Sequence, residues 1–196
     1  MFDSPNKILA AALEVAAKGC RVMPVGTDKK PLIKDWPQKT TIEETQIRAW
    51  FDQGNPPNLA VTTGAASGFF ALDIDGPEGQ ASLAALEQRH EPLKVEEMAI
   101  AITPSGGYHF YFQMPGFNLR NSAGKLGPGL DIRANGGYVL IPPSRAVGHG
   151  VRAEVPDQDN QGLQNGAKNG RRIKGPSLVA AQALLVKFLF GGSLPG

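Results

Sequence analysis

The feature that most limits how this chain can fold is the run Phe69-Phe70-Ala71-Leu72-Asp73-Ile74-Asp75, an apolar strand that ends on two carboxylates. Side chains alternate along a strand, so Asp73 and Asp75 share one face while Leu72 and Ile74 share the other. A strand of this kind leaves the core with one side apolar and one side acidic. Two ionised carboxylates held that close repel each other unless a cation lies between them. Oxygen-only ligands favour Mg²⁺ or Mn²⁺ over zinc. The residues alone also allow a plainer reading, in which Asp75-Gly76-Pro77 is the turn that caps the next helix.

Two further segments carry chemistry. In Thr103-Pro104-Ser105-Gly106-Gly107-Tyr108-His109-Phe110-Tyr111-Phe112, the glycine pair lets backbone approach a ligand closely and offers amide N–H groups to an anion. Alternation puts His109 and Tyr111 on one face, opposite Tyr108, Phe110 and Phe112. A histidine there is either a phosphate contact or a hydrogen-bonded core residue. In Gly129-Leu130-Asp131-Ile132-Arg133, a third carboxylate and a guanidinium share a face, and the guanidinium suits phosphate.

Composition bounds the class. Of 196 residues, 41% are hydrophobic, enough for a real core, while Gly and Pro number 24 and 16, which predicts a loop-rich αβ domain. The single cysteine, Cys20, excludes a disulfide scaffold and a cysteine-built zinc module. No run reaches the ~20 apolar residues that span a bilayer, and the N-terminal stretch reads as an amphipathic helix rather than a signal peptide, so a cytoplasmic protein without membrane contact is expected. Net charge is +2. Residues 1–152 hold 15 basic and 15 acidic side chains, so nucleic-acid binding must be argued from a site rather than from a basic body.

In chain order, the pattern predicts a helix with Pro5 in its first turn, capped by Ser4 or Asp3 and running to Gly19, then a strand at 20–25 and a polar loop. A second helix is expected to open at a Thr41/Glu44 capping box. Strands are expected at 59–63, 69–74, 98–103, 108–113, 130–133 and 138–141, with a helix after Pro77. Residues 153–176 read as a linker or disordered loop, and 177–196 as a C-terminal helix that begins an accessory region. That gives a main folded domain over 1–152.

In order and spacing these segments resemble the bifunctional DNA primase/polymerase (prim-pol) branch of the archaeo-eukaryotic primase superfamily, found in plasmids, phages and integrated elements. The carrying residues are LDID at 72–75, TPSGGYHFYF at 103–112 and GLDIRANGGYVLIPPS at 129–144. Lys30, Pro31, Leu32 and Trp36 match an early K-P-L…W loop with one extra residue of spacing, and Asn58 to Gly64 matches a preceding strand. The resemblance covers about residues 5–150. After Pro142-Pro143-Ser144 the family usually continues with a glycine and then a closing aromatic, and GHGVRAEVPDQDNQ has no such aromatic.

The resemblance implies an α+β fold: an RRM-like antiparallel sheet as catalytic core, packed helices and an N-terminal αβ subdomain. It implies a template-directed nucleotidyl transferase with two divalent ions, Mg²⁺ or Mn²⁺ and no zinc, held by Asp73, Asp75 and Asp131 as catalytic and metal-binding residues. Ser105, Gly106, Gly107 and His109 would hold the incoming triphosphate, with Arg133 and Lys30 as further phosphate contacts. The implied partners are single-stranded DNA template, primer, dNTP or NTP, and a replicative helicase, fused or separate. Lys125, Arg120 and the cluster at 168–174 are the expected backbone contacts. Two competing readings are a non-catalytic nucleic-acid-binding module of the same fold and a DxD metal-dependent glycosyltransferase. The latter has no need of the SGG-x-H-x-YF segment or of a third aspartate.

Overall fold

The computed structural model describes residues 6–90, 93, 99–103, 106–146, 149–150 and 152–153. Ser105, the basic cluster at 168–174 and the C-terminal helix lie outside the described residues, and of the stretch 153–176 only Ala153 is described.

The chain opens with helix α1 (Lys7–Ala17), whose apolar stripe of Leu9, Ala12, Val15 and Ala16 is buried. Its cap is Asn6, not the expected Ser4 or Asp3: the Asn6 Oδ1 accepts the Leu9 N–H at 3.0 Å. The other end of the same amide donates to the Phe51 carbonyl, at 2.6 Å, and so ties α1 to a later helix. Strand β1 (Val22–Val25) is buried throughout. The polar loop after it contains a short helix, α2 (Trp36–Lys39), that periodicity did not predict because one turn carries no period. Helix α3 (Glu44–Phe51) buries Ile47 and Phe51. Its expected capping box does not form. Thr41 is bridged to Val22 in both directions, which keeps it extended and two residues short of the cap position, and its hydroxyl takes the Glu43 N–H instead.

Then come β2 (Asn58–Thr62), β3 (Phe69–Ile74), helix α4 (Gly76–Glu87), β4 (Ala99–Ile102), β5 (Tyr108–Gln113), β6 (Ser122–Ala123), β7 (Leu130–Arg133), β8 (Tyr138–Leu140), β9 (Arg145–Ala146), β10 (His149–Gly150) and β11 (Arg152–Ala153). Every strand pair is antiparallel. The large sheet runs β11-β4-β5-β3-β7-β6, a small one runs β1-β2-β8, and β9 and β10 form a hairpin. The strands at 58–62 and 138–140 therefore lie outside the main sheet: β2 pairs with β8 on one side and with β1 on the other.

The period-two pattern explains the layers. Leu72, Ile74, Ile100, Phe110 and Leu130 face one way and pack with Leu83 and Leu86 of α4. Phe69, Ala71, Ala101 and Tyr111 face the other way and join the core made by α1, α3 and the small sheet. Ile74 and Leu130 are opposite each other in register and fully buried. At ~1.5–3 kcal/mol per fully buried large side chain, such pairs outweigh surface ion pairs worth ~0–1 kcal/mol. The acidic ends of the strands are thus held by the apolar face behind them.

The β4–β5 turn lies hard against the end of β3. A Cβ at Gly107 would stand 2.2 Å from the Ile74 carbonyl oxygen and 3.2 Å from the Gly76 nitrogen, both backbone atoms that cannot step aside. Gly106 has open space around it, but its φ of +79° disfavours any side chain. Gly107→Ala should lower stability by at least about 2 kcal/mol, and Gly106→Ala by only about 1 kcal/mol. Chemical denaturation of both variants checks this; equal losses would show that backbone contact at Gly107 is not the constraint.

Candidate active site

Register builds the site. In the large sheet Asp73 lies directly opposite His109 on β5 and Asp131 on β7, so three chemical side chains stand abreast on adjacent strands. Alternation then places Tyr111 and Arg133 next to them on the same face. Asp73 Oδ1 is 3.3 Å from His109 Nε2. Asp73 Oδ2 accepts from Arg133 Nε at 3.4 Å and from its Nη2 at 3.3 Å, and the same Nη2 donates to Asp131 Oδ2 at 2.9 Å. Asp131 Oδ1 accepts the Gly124 N–H at 2.9 Å, which fixes the β6–β7 connection.

Burial pushes the Asp73 carboxyl up, but His109 and Arg133 outweigh it and leave the carboxyl below its ordinary value. Asp75 goes the other way. Burial raises its pKa, and the neighbouring charges of Asp73 and Asp131 raise it further. Asp75 occupies the N-cap position of α4, yet its side chain makes no cap hydrogen bond. His109 is buried, with its Nδ1 3.4 Å from the Tyr111 hydroxyl. Burial holds that phenol far above its usual pKa, so it stays protonated beside the imidazole ring. Cys20 is buried and its thiol is pushed up to about 11, so it offers no ready nucleophile.

These groups open into a cleft of about 300 Å³ lined by Asp73, Asp75, Thr103, His109, Asn121, Arg133, Tyr138 and Lys29, among others. Lys30, the cation expected from sequence, is not in the lining; it is exposed and pairs with Asp28 at 3.3 Å. Its neighbour Lys29 is the lining residue, turned by a left-handed backbone (φ 66°). The Lys29 carbonyl accepts the Tyr138 hydroxyl at 3.0 Å, and Tyr138 in turn stands edge-on to Trp36. Lys29, Asn121 and Tyr138 were missed because contacts distant in the chain bring them here: β8 pairs with β2, Tyr138 donates to the Lys29 carbonyl, and Asn121 accepts the Ala134 N–H. Both glycine amides of the SGG turn are used inside it: Gly106 N–H donates to the Thr103 carbonyl at 3.0 Å and Gly107 N–H to the Thr103 hydroxyl at 3.1 Å. Arg120 and Lys125 are exposed on the segment that flanks β6. Among the described residues, no group of three or more His, Cys, Asp or Glu side chains is arranged to hold a metal ion.

This arrangement of LDID, SGGYHFYF and GLDIR on three adjacent strands can be set beside known families. The family model of the bifunctional DNA primase/polymerase N-terminal domain matches residues 12–164. The chain belongs to that family. Among curated proteins, none matches it. As a prim-pol domain it is a nucleotidyltransferase by family, whose substrates are DNA and nucleotides. No helix among its described residues is long and apolar enough to cross a membrane.

The pKa of Asp75 sets a pH signature. Its folded pKa is raised, so ionisation costs stability at any pH above that value, and the cost vanishes as pH falls below the unfolded pKa of ~3.9. Asp75→Asn should therefore melt at a higher temperature than the natural sequence at pH 7, with the gap closing towards pH 3. A gap that persists unchanged in acid, or a lower melting temperature at pH 7, would show that Asp75 is not under electrostatic strain.

Proposed function

We propose that the cleft is a template-directed DNA primase/polymerase active site built on an RRM-like sheet, with Asp73, Asp75 and Asp131 as its catalytic carboxylates. The observation that carries this is the cross-strand row of Asp131, Asp73 and His109: Asp73 and His109 line a cleft that also presents Asp75, Arg133 and Lys29, and Asp131 stands behind Arg133. An acid row beside cations is what joining a triphosphate to a primer hydroxyl requires.

The donor chemistry of the three acids, though not their arrangement in this structure, suits divalent cations. All three acids offer oxygen only, and their mutual repulsion, which adds to desolvation in raising the Asp75 pKa, is what a cation would relieve. Asp73, Asp75 and Asp131 would hold Mg²⁺ or Mn²⁺, which when bound would activate the primer 3′-hydroxyl and neutralise the pyrophosphate leaving group. The chain's own residues do the rest. Lys29 and Arg133 draw the triphosphate into the cleft, while Lys30 is paired with Asp28 outside the lining. His109, oriented by Tyr111, presents its Nε2–H between Asp73 and an incoming phosphate oxygen. Gly107 lets the start of β5 sit close to the end of β3, which brings His109 level with Asp73. Arg120 and Lys125 would contact the backbone of the template and primer. The resemblance also supports a cytoplasmic role in replicating a plasmid, phage or integrated element, beside a replicative helicase.

The test is primer extension with the full chain, a primed single-stranded template, dNTPs and Mn²⁺. The natural sequence should extend the primer, and Asp75→Asn should lose at least about a hundredfold in rate while remaining folded. Extension by Asp75→Asn at an undiminished rate would remove the carboxylates from the chemistry. Template binding with no extension by the natural sequence would leave a nucleic-acid-binding module.

A further inference from the structure

We infer that Arg133 is a built-in counter-ion that keeps the Asp73–Asp131 pair closed to a divalent cation until a triphosphate draws its guanidinium away. This rests on the reading of the cleft as a metal-dependent nucleotidyl-transfer site and adds a regulation of cation entry to it.

The geometry is specific. A single Arg133 Nη2 reaches Asp73 Oδ2 at 3.3 Å and Asp131 Oδ2 at 2.9 Å, so the guanidinium sits between the two carboxylates that would share a cation. The remaining oxygens are engaged as well, Asp73 Oδ1 with His109 Nε2 and Asp131 Oδ1 with the Gly124 N–H. All four oxygens of the pair are therefore occupied by the protein itself. Arg133 has room to leave, because its side chain is 36% exposed and lines the cleft.

A guanidinium fork matches phosphate as well as it matches carboxylate. A cation arriving alone must break three charged hydrogen bonds and leave Arg133 unpaired. A cation arriving with a triphosphate lets Arg133 exchange one anionic partner for another. Cation and nucleotide binding are then coupled through one side chain, and by linkage the coupling is reciprocal. The device guards the acid row against cations that bring no substrate.

The experiment measures Mn²⁺ binding to the full chain by calorimetry, with and without a non-hydrolysable dNTP. The natural sequence is compared with Arg133→Gln and with Lys29→Gln, which removes the same charge from the same cleft without freeing either aspartate. Without nucleotide, Arg133→Gln should bind Mn²⁺ roughly tenfold more tightly than the natural sequence, and Lys29→Gln distinctly less so. The strengthening of Mn²⁺ binding by nucleotide should shrink in Arg133→Gln. Equal Mn²⁺ affinity in Arg133→Gln and the natural sequence overturns the inference, as does equal tightening in both glutamine variants, which would mean charge alone. Both results leave the metal site standing. Absence of Mn²⁺ binding in all three proteins, with and without nucleotide, overturns the metal reading and this inference with it. If Arg133→Gln fails to fold, Arg133→Lys keeps the charge and gives up the fork, with the same expected direction and the same overturning result.

Discussion

The cross-strand alignment of Asp73 with His109 on one side and Asp131 on the other is the constraint on which the rest of the structure depends. A slip of one residue in either pairing would turn an acidic side chain into the apolar layer under α4. Register is held by what lies behind it. Ile74 opposite Leu130, and Leu72 opposite Phe110, are buried on the reverse face, and their burial fixes which residues look into the cleft. The apolar pattern of the strands thus sets the position of every charge in the site.

A crowded acid row must be reconciled with a folded protein, and the structure does so with Arg133 and His109 on Asp73 while Asp75 stays without a cap partner. The outcome is a division of labour among like residues. Asp73 is held ionised by its neighbours, whereas Asp75 is under repulsion from the other two. Close backbone approach completes the arrangement. Gly107 lets the β4–β5 turn touch Ile74, and Gly129 and Gly79 bring the start of β7 against α4.

Much of this was legible in the sequence, for a physical reason. Strands 69–74, 108–113 and 130–133 form at the bounds expected, because alternation and glycine turns are local signals, and the three motifs do fall on adjacent strands. What was not legible depends on contacts distant in the chain. Nothing local says that 58–62 pairs with both β1 and 138–140 to make a second sheet. Thr41 reads as a helix cap until Val22 claims its backbone. Lys30 and Lys29 are equivalent as letters, and only a left-handed residue in the loop decides which one lines the cleft. Arg133 was visible as a phosphate cation, but its hold on both aspartates requires the β3–β7 register.

The central claim is that the acid row and the cations around it form one nucleotidyl-transfer site. The most direct measurement is a crystal structure of the chain with Mn²⁺ and a non-hydrolysable dNTP, with the manganese located by its anomalous scattering. The account predicts manganese in contact with Asp73, Asp75 and Asp131, the triphosphate within reach of His109 and Lys29, and Arg133 turned from the aspartates towards phosphate. Manganese and nucleotide bound away from this row, with Arg133 still between Asp73 and Asp131, would contradict it.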